Sequence, residues 1–205
     1  MSSMRSSLTR IAPACLPTIS YLALLNLGGR AALAVGADPG VAQCAGQIAS
    51  LAGIALLWRS GICSTGRIGR PSAGTALAAA GVGVLMQAAS SLFILTVGGF
   101  GDSPVSEYVF GAAGAVSSVL LAPLVEEITF RGFTQAGFKD LAGRRWGIVS
   151  QAVLFATCHT EPVQMVYSFV CGLVLGELAE REGIWASVEA HAVCNALGVL
   201  SAVLG

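Results

Sequence analysis

Long apolar runs separated by short polar segments set the pattern of this chain. They predict seven membrane-spanning helices, at about residues 11–35, 41–58, 75–97, 108–130, 146–159, 163–179 and 184–204. An apolar run of about 20 residues is long enough to cross a bilayer as a helix. Strands are not expected, because an open sheet cannot satisfy its edge groups in lipid. The predicted fold class is therefore all-α, a polytopic membrane helical bundle of about seven spans.

The composition agrees with a membrane protein. Hydrophobic residues make up 55% of the chain and charged residues 11%, whereas soluble domains carry about 25% charged residues. The zero net charge gives no indication of a nucleic-acid partner, so the expected surroundings are the lipid bilayer. Because the polar gaps are too short to form a soluble core, we expect a single integral membrane domain over residues 1–205. It divides into variable N-terminal helices at 1–105 and a motif-bearing core at 106–205.

The positive charges predict the orientation of this bundle. Alternate connecting segments hold nearly all of the Arg and Lys residues, and the segments on the other side hold only Arg30. By the positive-inside rule, the N-terminus is cytoplasmic and the C-terminus lies outside, in a bacterial plasma membrane. The first run also has the features of a cleavable signal peptide, with a possible cleavage site at residues 32–34. Its length before Arg30 favours a helix that is retained.

The fourth apolar run contains the sequence LAPLVEEITFRGF, residues 121–133. Carboxylates at membrane depth are costly, and chains keep them mainly where they face a bundle interior and have a function. Glu127 and Arg131 are four residues apart, so they share a helical face and can pair. Glu126 lies about 100° further round the helix and is left free for another role. Pro123 predicts a kink one turn earlier.

Both histidines of the chain also lie in apolar segments. His159 follows Phe155 by four residues, and His191 precedes Asn195 by four. A carboxylate beside an imidazole can take a proton from water, and a second imidazole with a carboxamide can donate hydrogen bonds to an oxyanion. The predicted chemistry is the attack of water on an amide. Zinc held by Glu126, His159 and His191 is an alternative, although the His-Glu-x-x-His helix of many metalloproteases is missing.

Three motifs in this order, Glu-Glu-x-x-x-Arg, Phe-x-x-x-His and His-x-x-x-Asn, resemble the CPBP family over about residues 120–200. This family of intramembrane glutamate proteases includes CAAX prenyl endopeptidases of the Rce1 type and bacteriocin-processing or Abi-type immunity proteins. The resemblance implies that Glu126 and His159 activate the attacking water, and that His191 and Asn195 form an oxyanion hole. Supporting roles then fall to Glu127, Arg131 and Phe155. Members are often catalogued as metalloproteases, yet their proposed mechanism needs no metal ligand, so the metal stays open.

Three functions are compatible with these residues. The first is an intramembrane endopeptidase that cuts a peptide or protein substrate, prenylated or not, near the cytoplasmic membrane face. The second is a non-catalytic scaffold or immunity protein of the same fold, and the third is a small transporter. The complete set of four polar groups favours the endopeptidase. A transporter is disfavoured because the first half of the chain holds no repeat of the pattern. Many relatives continue into a further helix, so a partner at that face and the oligomeric state stay open.

Overall fold

The structure is a computed structural model that describes residues 2–69, 71–97 and 111–204, with side chains of the first helix from residue 11 onward. Within these ranges the regular secondary structure is entirely helical, which confirms the predicted all-α class. The seven helices are α1 (Ser2–Ala34), α2 (Pro39–Ser60), α3 (Ala73–Val97), α4 (Ala112–Ala142), α5 (Arg144–Thr157), α6 (Pro162–Glu182) and α7 (Ile184–Leu204).

In the described part of the chain, six of these helices are long and apolar enough to cross a membrane. The protein is therefore an integral membrane protein. The exception is α5, which has 14 residues and a length of about 21 Å at 1.5 Å per residue. A bilayer core of about 30 Å is thicker than this, so α5 is too short for a full span, although it runs from the α4–α5 junction towards the opposite end of the bundle, where α6 begins. The predicted turn at residues 98–104 lies outside the described residues.

Helix α4 extends further than the sequence predicted. The polar segment that follows the motif was expected to be a loop, but Lys139 and Asp140 occupy the last turns of α4, and Arg144 begins α5. Lys139 forms an ion pair with Glu180 of α6 at 2.6 Å, which keeps this polar end of the helix attached to the bundle. The helix ends only at Gly143, where φ is 88°, a backbone conformation that glycine adopts readily.

Two π-helical segments interrupt α4, at Ser117–Leu121 and Ile128–Thr134. They flank the α-helical piece Ala122–Glu127, which carries both motif carboxylates. The first π segment accommodates Pro123, which has no backbone N–H. Because the Ala122 N–H donates to Ser117 O, neither an α-type nor a π-type backbone donor is left for Ser118 O. Such π turns are rare and often occur at functional sites.

One end of the bundle collects most of the described charges, and we call it the charged end. It is formed by the 61–72 connection, the α4–α5 junction and the α6–α7 junction. Arg67 donates to Arg181 O at 2.8 Å, and Arg144 and Arg181 both pair with Glu177. The opposite end contains the α1–α2 turn, where the Asp38 side chain caps α2, and the α5–α6 turn. This arrangement supports the predicted separation of charge, while the side of the membrane remains a prediction.

Helix α1 is packed into the bundle rather than lying along its outside. Ala14, Thr18 and Tyr21 are buried, and Thr18 forms a 3.0 Å hydrogen bond with Thr134 of α4. Tyr21 also belongs to a cluster of buried residues from α1, α4 and α5 that includes Phe155. Helix α1 is therefore part of the packed bundle, and its retention in the mature protein stays a prediction.

Candidate active site

The four residues predicted to act together line one cavity of about 630 Å³. Glu126 comes from α4, His159 from just after α5, and His191 and Asn195 from α7. The volume lies within the range of about 300–1,000 Å³ that is common for ligand sites. From these residues the cavity extends along α1 and α2 as far as Arg30 and Pro39, towards the end of the bundle opposite the charged end.

The two carboxylate oxygens of Glu126 have different surroundings. Oε1 accepts a 2.9 Å hydrogen bond from the Tyr21 hydroxyl, and Oε2 lies 4.0 Å from His191 Nε2. The side chain of Glu126 is 15% exposed, so the carboxylate reaches the cavity while most of it is covered. A separation of 4.0 Å is too long for a direct hydrogen bond but suits a bridging water molecule. The oxygen that is not bound to Tyr21 therefore faces the imidazole.

A hydrogen bond of the His159 ring determines which of its two nitrogens carries the hydrogen in the neutral form. Its Nδ1 lies 3.0 Å from the carbonyl oxygen of Phe155, and a carbonyl can only accept. In the neutral ring Nδ1 therefore carries the hydrogen, and Nε2 is the acceptor. The imidazole packs edge to face against the Phe155 ring, with centroids 5.1 Å apart. This contact fixes the ring beside the cavity, where Nε2 is the ring nitrogen that is not bound to the protein backbone.

Glu127 connects Arg131 to His191 inside the protein. It is fully buried, and its Oε1 accepts from Arg131 Nη1 at 2.8 Å and from His191 Nδ1 at 2.8 Å. The pairing with Arg131 matches the sequence prediction, whereas the bond to His191 was not predicted. The Arg131 guanidinium also lies 4.5 Å from the centre of the Phe155 ring. Because Nδ1 donates to Glu127, the neutral His191 presents its Nε2 lone pair to Glu126, and the protonated ring becomes a donor to the cavity.

Asn195 is held by the irregular backbone of α4. Its Nδ2 donates a 2.8 Å hydrogen bond to Ser118 O, the carbonyl that the π turn before Pro123 leaves without a backbone donor. An amide nitrogen carries two hydrogens, so the second remains for a ligand in the cavity. Because Pro123 of α4 has no N–H to donate, Ser118 O accepts from Asn195 instead, and this bond orients the Asn195 side chain of α7.

The sequence analysis did not identify Tyr21 or two cysteines as residues that line the cavity. Nothing in the pattern of α1 distinguishes Tyr21 from a core aromatic residue. Cys158 and Cys194 also line the cavity. Their thiols donate to Leu154 O at 3.2 Å and to Gln87 Oε1 at 3.6 Å, so neither is paired with a base that would activate it.

The donor atoms do not form a metal site in the described part of the chain, where no group of three or more His, Cys, Asp or Glu side chains is placed to hold an ion. Nδ1 of His159 and Nδ1 of His191 are both engaged in hydrogen bonds within the protein, so only the two Nε2 atoms are left to bind an ion. The 4.0 Å between Glu126 Oε2 and His191 Nε2 is wider than the roughly 3.3 Å that separates two ligand atoms of a tetrahedral zinc ion with bonds of about 2.0 Å. As arranged here, these residues do not form a zinc site.

Fold and cavity together define a polytopic membrane protein with a carboxylate, two imidazoles and a carboxamide inside its helical bundle. Residues 108–197 match the sequence profile of the Rce1-like family, described as Type II CAAX prenyl endopeptidase Rce1-like. The chain therefore carries a domain of this protease family, which confirms the resemblance drawn from the three motifs and indicates a peptidase. The match includes all four candidate residues but not α1 to α3. Comparison with curated proteins and with solved structures gives no significant match.

Proposed function

We propose that this protein is an intramembrane endopeptidase that hydrolyses a peptide bond with water activated by Glu126 and His159. The observation that carries the proposal is the meeting of Glu126, His159, His191 and Asn195 at one cavity inside a domain of a peptidase family. A scaffold has no need for four polar groups at this depth, where each is costly to keep.

The reaction begins with water between Glu126 Oε2 and the basic nitrogen of His159. The Glu126 carboxylate takes up one proton of the water, and Nε2 of His159 accepts a hydrogen bond from the other, as the water oxygen attacks the peptide carbonyl carbon. The resulting oxyanion accepts a hydrogen bond from the free amide hydrogen of Asn195. The C–N bond then breaks, and the proton taken from water passes to the nitrogen of the leaving amine.

His191 contributes to this reaction in its protonated form. Its Nδ1 is directed at the buried Glu127 carboxylate, so an oxyanion can receive a hydrogen bond only from Nε2. In the neutral ring Nε2 has no hydrogen, and protonation supplies one. Glu127 stabilises the resulting imidazolium, and Arg131 in turn holds Glu127 in place. The proposed oxyanion hole is therefore the Asn195 amide together with an imidazolium.

The side of cleavage follows from the orientation of the bundle. If the charged end is cytoplasmic, the cavity beside Arg30 and Pro39 extends towards the outer face of the membrane. Cleavage near the cytoplasmic face, which the sequence analysis expected, requires the inverted orientation or entry of the substrate between helices. The family name makes a prenylated C-terminal peptide the first substrate to test, with an unprenylated copy as its control.

The deciding experiment compares turnover of such a peptide by wild type, Glu126→Gln and His159→Ala, each normalised to folded protein in detergent. Gln keeps the size and the hydrogen bonding of Glu126 but removes the base, so cleavage should be abolished, and His159→Ala should behave similarly. Wild-type turnover by Glu126→Gln would refute the mechanism. Normal biological activity of this variant without any cleavage would instead establish the scaffold. A strong chelator should leave the wild-type rate unchanged; loss of activity that zinc restores would show that a metal takes part.

A further inference from the structure

We propose that Tyr21 of α1 is a positioning residue for Glu126, and that it determines which carboxylate oxygen acts as the base. This inference rests on the proposed function and adds a residue that lies outside the family match at 108–197. The Tyr21 hydroxyl donates to Glu126 Oε1 at 2.9 Å, across 105 residues of sequence. The N-terminal helices would then be part of the catalytic apparatus rather than only its support.

The contact assigns different tasks to the two oxygens of Glu126. The terminal torsion of a glutamate is broad, so an unbound carboxylate samples many orientations. A hydrogen bond at Oε1 restricts this torsion and leaves Oε2 as the oxygen without that donor. Oε2 is also the atom that lies 4.0 Å from His191 Nε2. The hydroxyl of Tyr21 thus holds the base with Oε2 directed into the cavity, on the side of His191.

Tyr21 is itself held firmly enough to perform this task. The residue is 3% exposed, and its ring packs edge to face on Phe130, with centroids 5.7 Å apart and an angle of 76° between the planes. Its backbone carbonyl accepts a 3.1 Å hydrogen bond from Ser50 of α2, and Thr18 ties α1 to Thr134 of α4 nearby. A reactive group is positioned well when the side chain that orients it is locked by packing of this kind.

A purely structural role for the contact is the competing explanation. A buried tyrosine hydroxyl usually finds a hydrogen-bond partner, and Glu126 would then only satisfy Tyr21. The two explanations predict different kinetics. A structural contact affects the amount of folded enzyme, whereas a positioning contact affects the turnover of each folded molecule. An effect on kcat without an effect on KM is expected only from positioning in the chemical step.

The test is Tyr21→Phe in the full chain, which keeps the ring and removes only the hydroxyl. Hydrogen bonds to charged groups contribute enough that kcat should fall about 10- to 100-fold, with KM unchanged. Thr18→Val is the matched control, because it removes another buried hydroxyl contact between α1 and α4. We expect Thr18→Val to lower the melting temperature while kcat per folded molecule stays at the wild-type value.

Three outcomes would overturn the inference. Wild-type kcat in Tyr21→Phe would show that the contact is structural, and a rise of KM alone would place Tyr21 at the substrate. An equal fall of kcat in Thr18→Val would show that any loosening of α1 has this effect. Failure of the underlying function is recognised separately, because Glu126→Gln would then keep its turnover. If Glu126→Gln is inactive while Tyr21→Phe is fully active, only the role of Tyr21 is refuted.

Discussion

Glu127→Gln is a change of one atom that should destabilise the protein more than any other conservative change at the site. Glu127 is fully buried, and its Oε1 accepts hydrogen bonds from both Arg131 and His191. Gln can still accept these bonds but no longer balances the guanidinium, which is 2% exposed. Two nitrogens of Arg131, Nε and Nη2, have no hydrogen-bond partner among the described residues. The positive charge therefore loses its principal source of stabilisation.

The magnitude follows from the cost of an unpaired buried charge. Removing one partner of a buried ion pair typically costs about 3–5 kcal/mol. This is a large part of the roughly 5–15 kcal/mol by which proteins are stable. Glu127→Gln should therefore lower the free energy of unfolding by about 3–5 kcal/mol and reduce the yield of folded protein. The same substitution at Glu126, which is partly exposed and bound to a neutral hydroxyl, should cost less than about 1 kcal/mol.

The assay is unfolding of the detergent-solubilised protein, followed by circular dichroism, for both single variants and for Glu127→Gln combined with Arg131→Met. Replacing both members of a buried ion pair by uncharged groups is often neutral, so the double variant should recover most of the lost stability. A cost below about 1 kcal/mol for Glu127→Gln, or equal costs at Glu126 and Glu127, would refute the proposed division between a structural and a catalytic carboxylate.

Two further predictions concern the oxyanion site and the orientation. Asn195→Ala removes one oxyanion donor and should lower kcat about 10²- to 10³-fold, a loss that steady-state cleavage assays can detect; a wild-type rate would exclude this role. A reporter fused after Gly205 should be found outside the membrane, and one inserted at residues 139–145 should be cytoplasmic. The opposite pair of results would invert the bundle and direct the cavity towards the cytoplasm.

The pattern of apolar runs along the chain was sufficient to predict much of the fold. The apolar runs located six long helices, because span length depends on the thickness of the bilayer and on little else. The prediction of a full span at α5 was wrong. A short apolar run between two polar turns gives the same pattern as a span, and α5 has only 14 residues. The apolar runs also failed after the motif, where the ion pair of Lys139 with Glu180 and the hydrogen bond from Ser64 to Asp140 tie a helical segment to the bundle although its polarity suggests a loop.

The candidate site was predicted as a set of residues but not as a set of contacts. Helical spacing correctly paired Glu127 with Arg131, because residues four apart must share a face. Contacts between helices do not follow from spacing along one of them. The bond from His191 to Glu127 joins residues 64 apart, and the bond from Tyr21 to Glu126 joins residues 105 apart. Such pairs depend on how the helices are rotated in the bundle, which a single sequence leaves undetermined.

The link between Pro123 and Asn195 shows how far a local backbone feature can act in this bundle. The sequence predicted a kink at Pro123, which stays a prediction, and α4 has a π turn directly before this part of the helix. The turn leaves the carbonyl oxygen of the half-buried Ser118 without a backbone donor, and a side-chain donor stabilises such a group. The Asn195 amide supplies it at 2.8 Å, and Asn195 is thereby fixed at the edge of the cavity. Because Pro123 cannot donate a backbone hydrogen bond, Ser118 O is left to accept one from Asn195. This bond positions the carboxamide of α7 opposite the motif carboxylates.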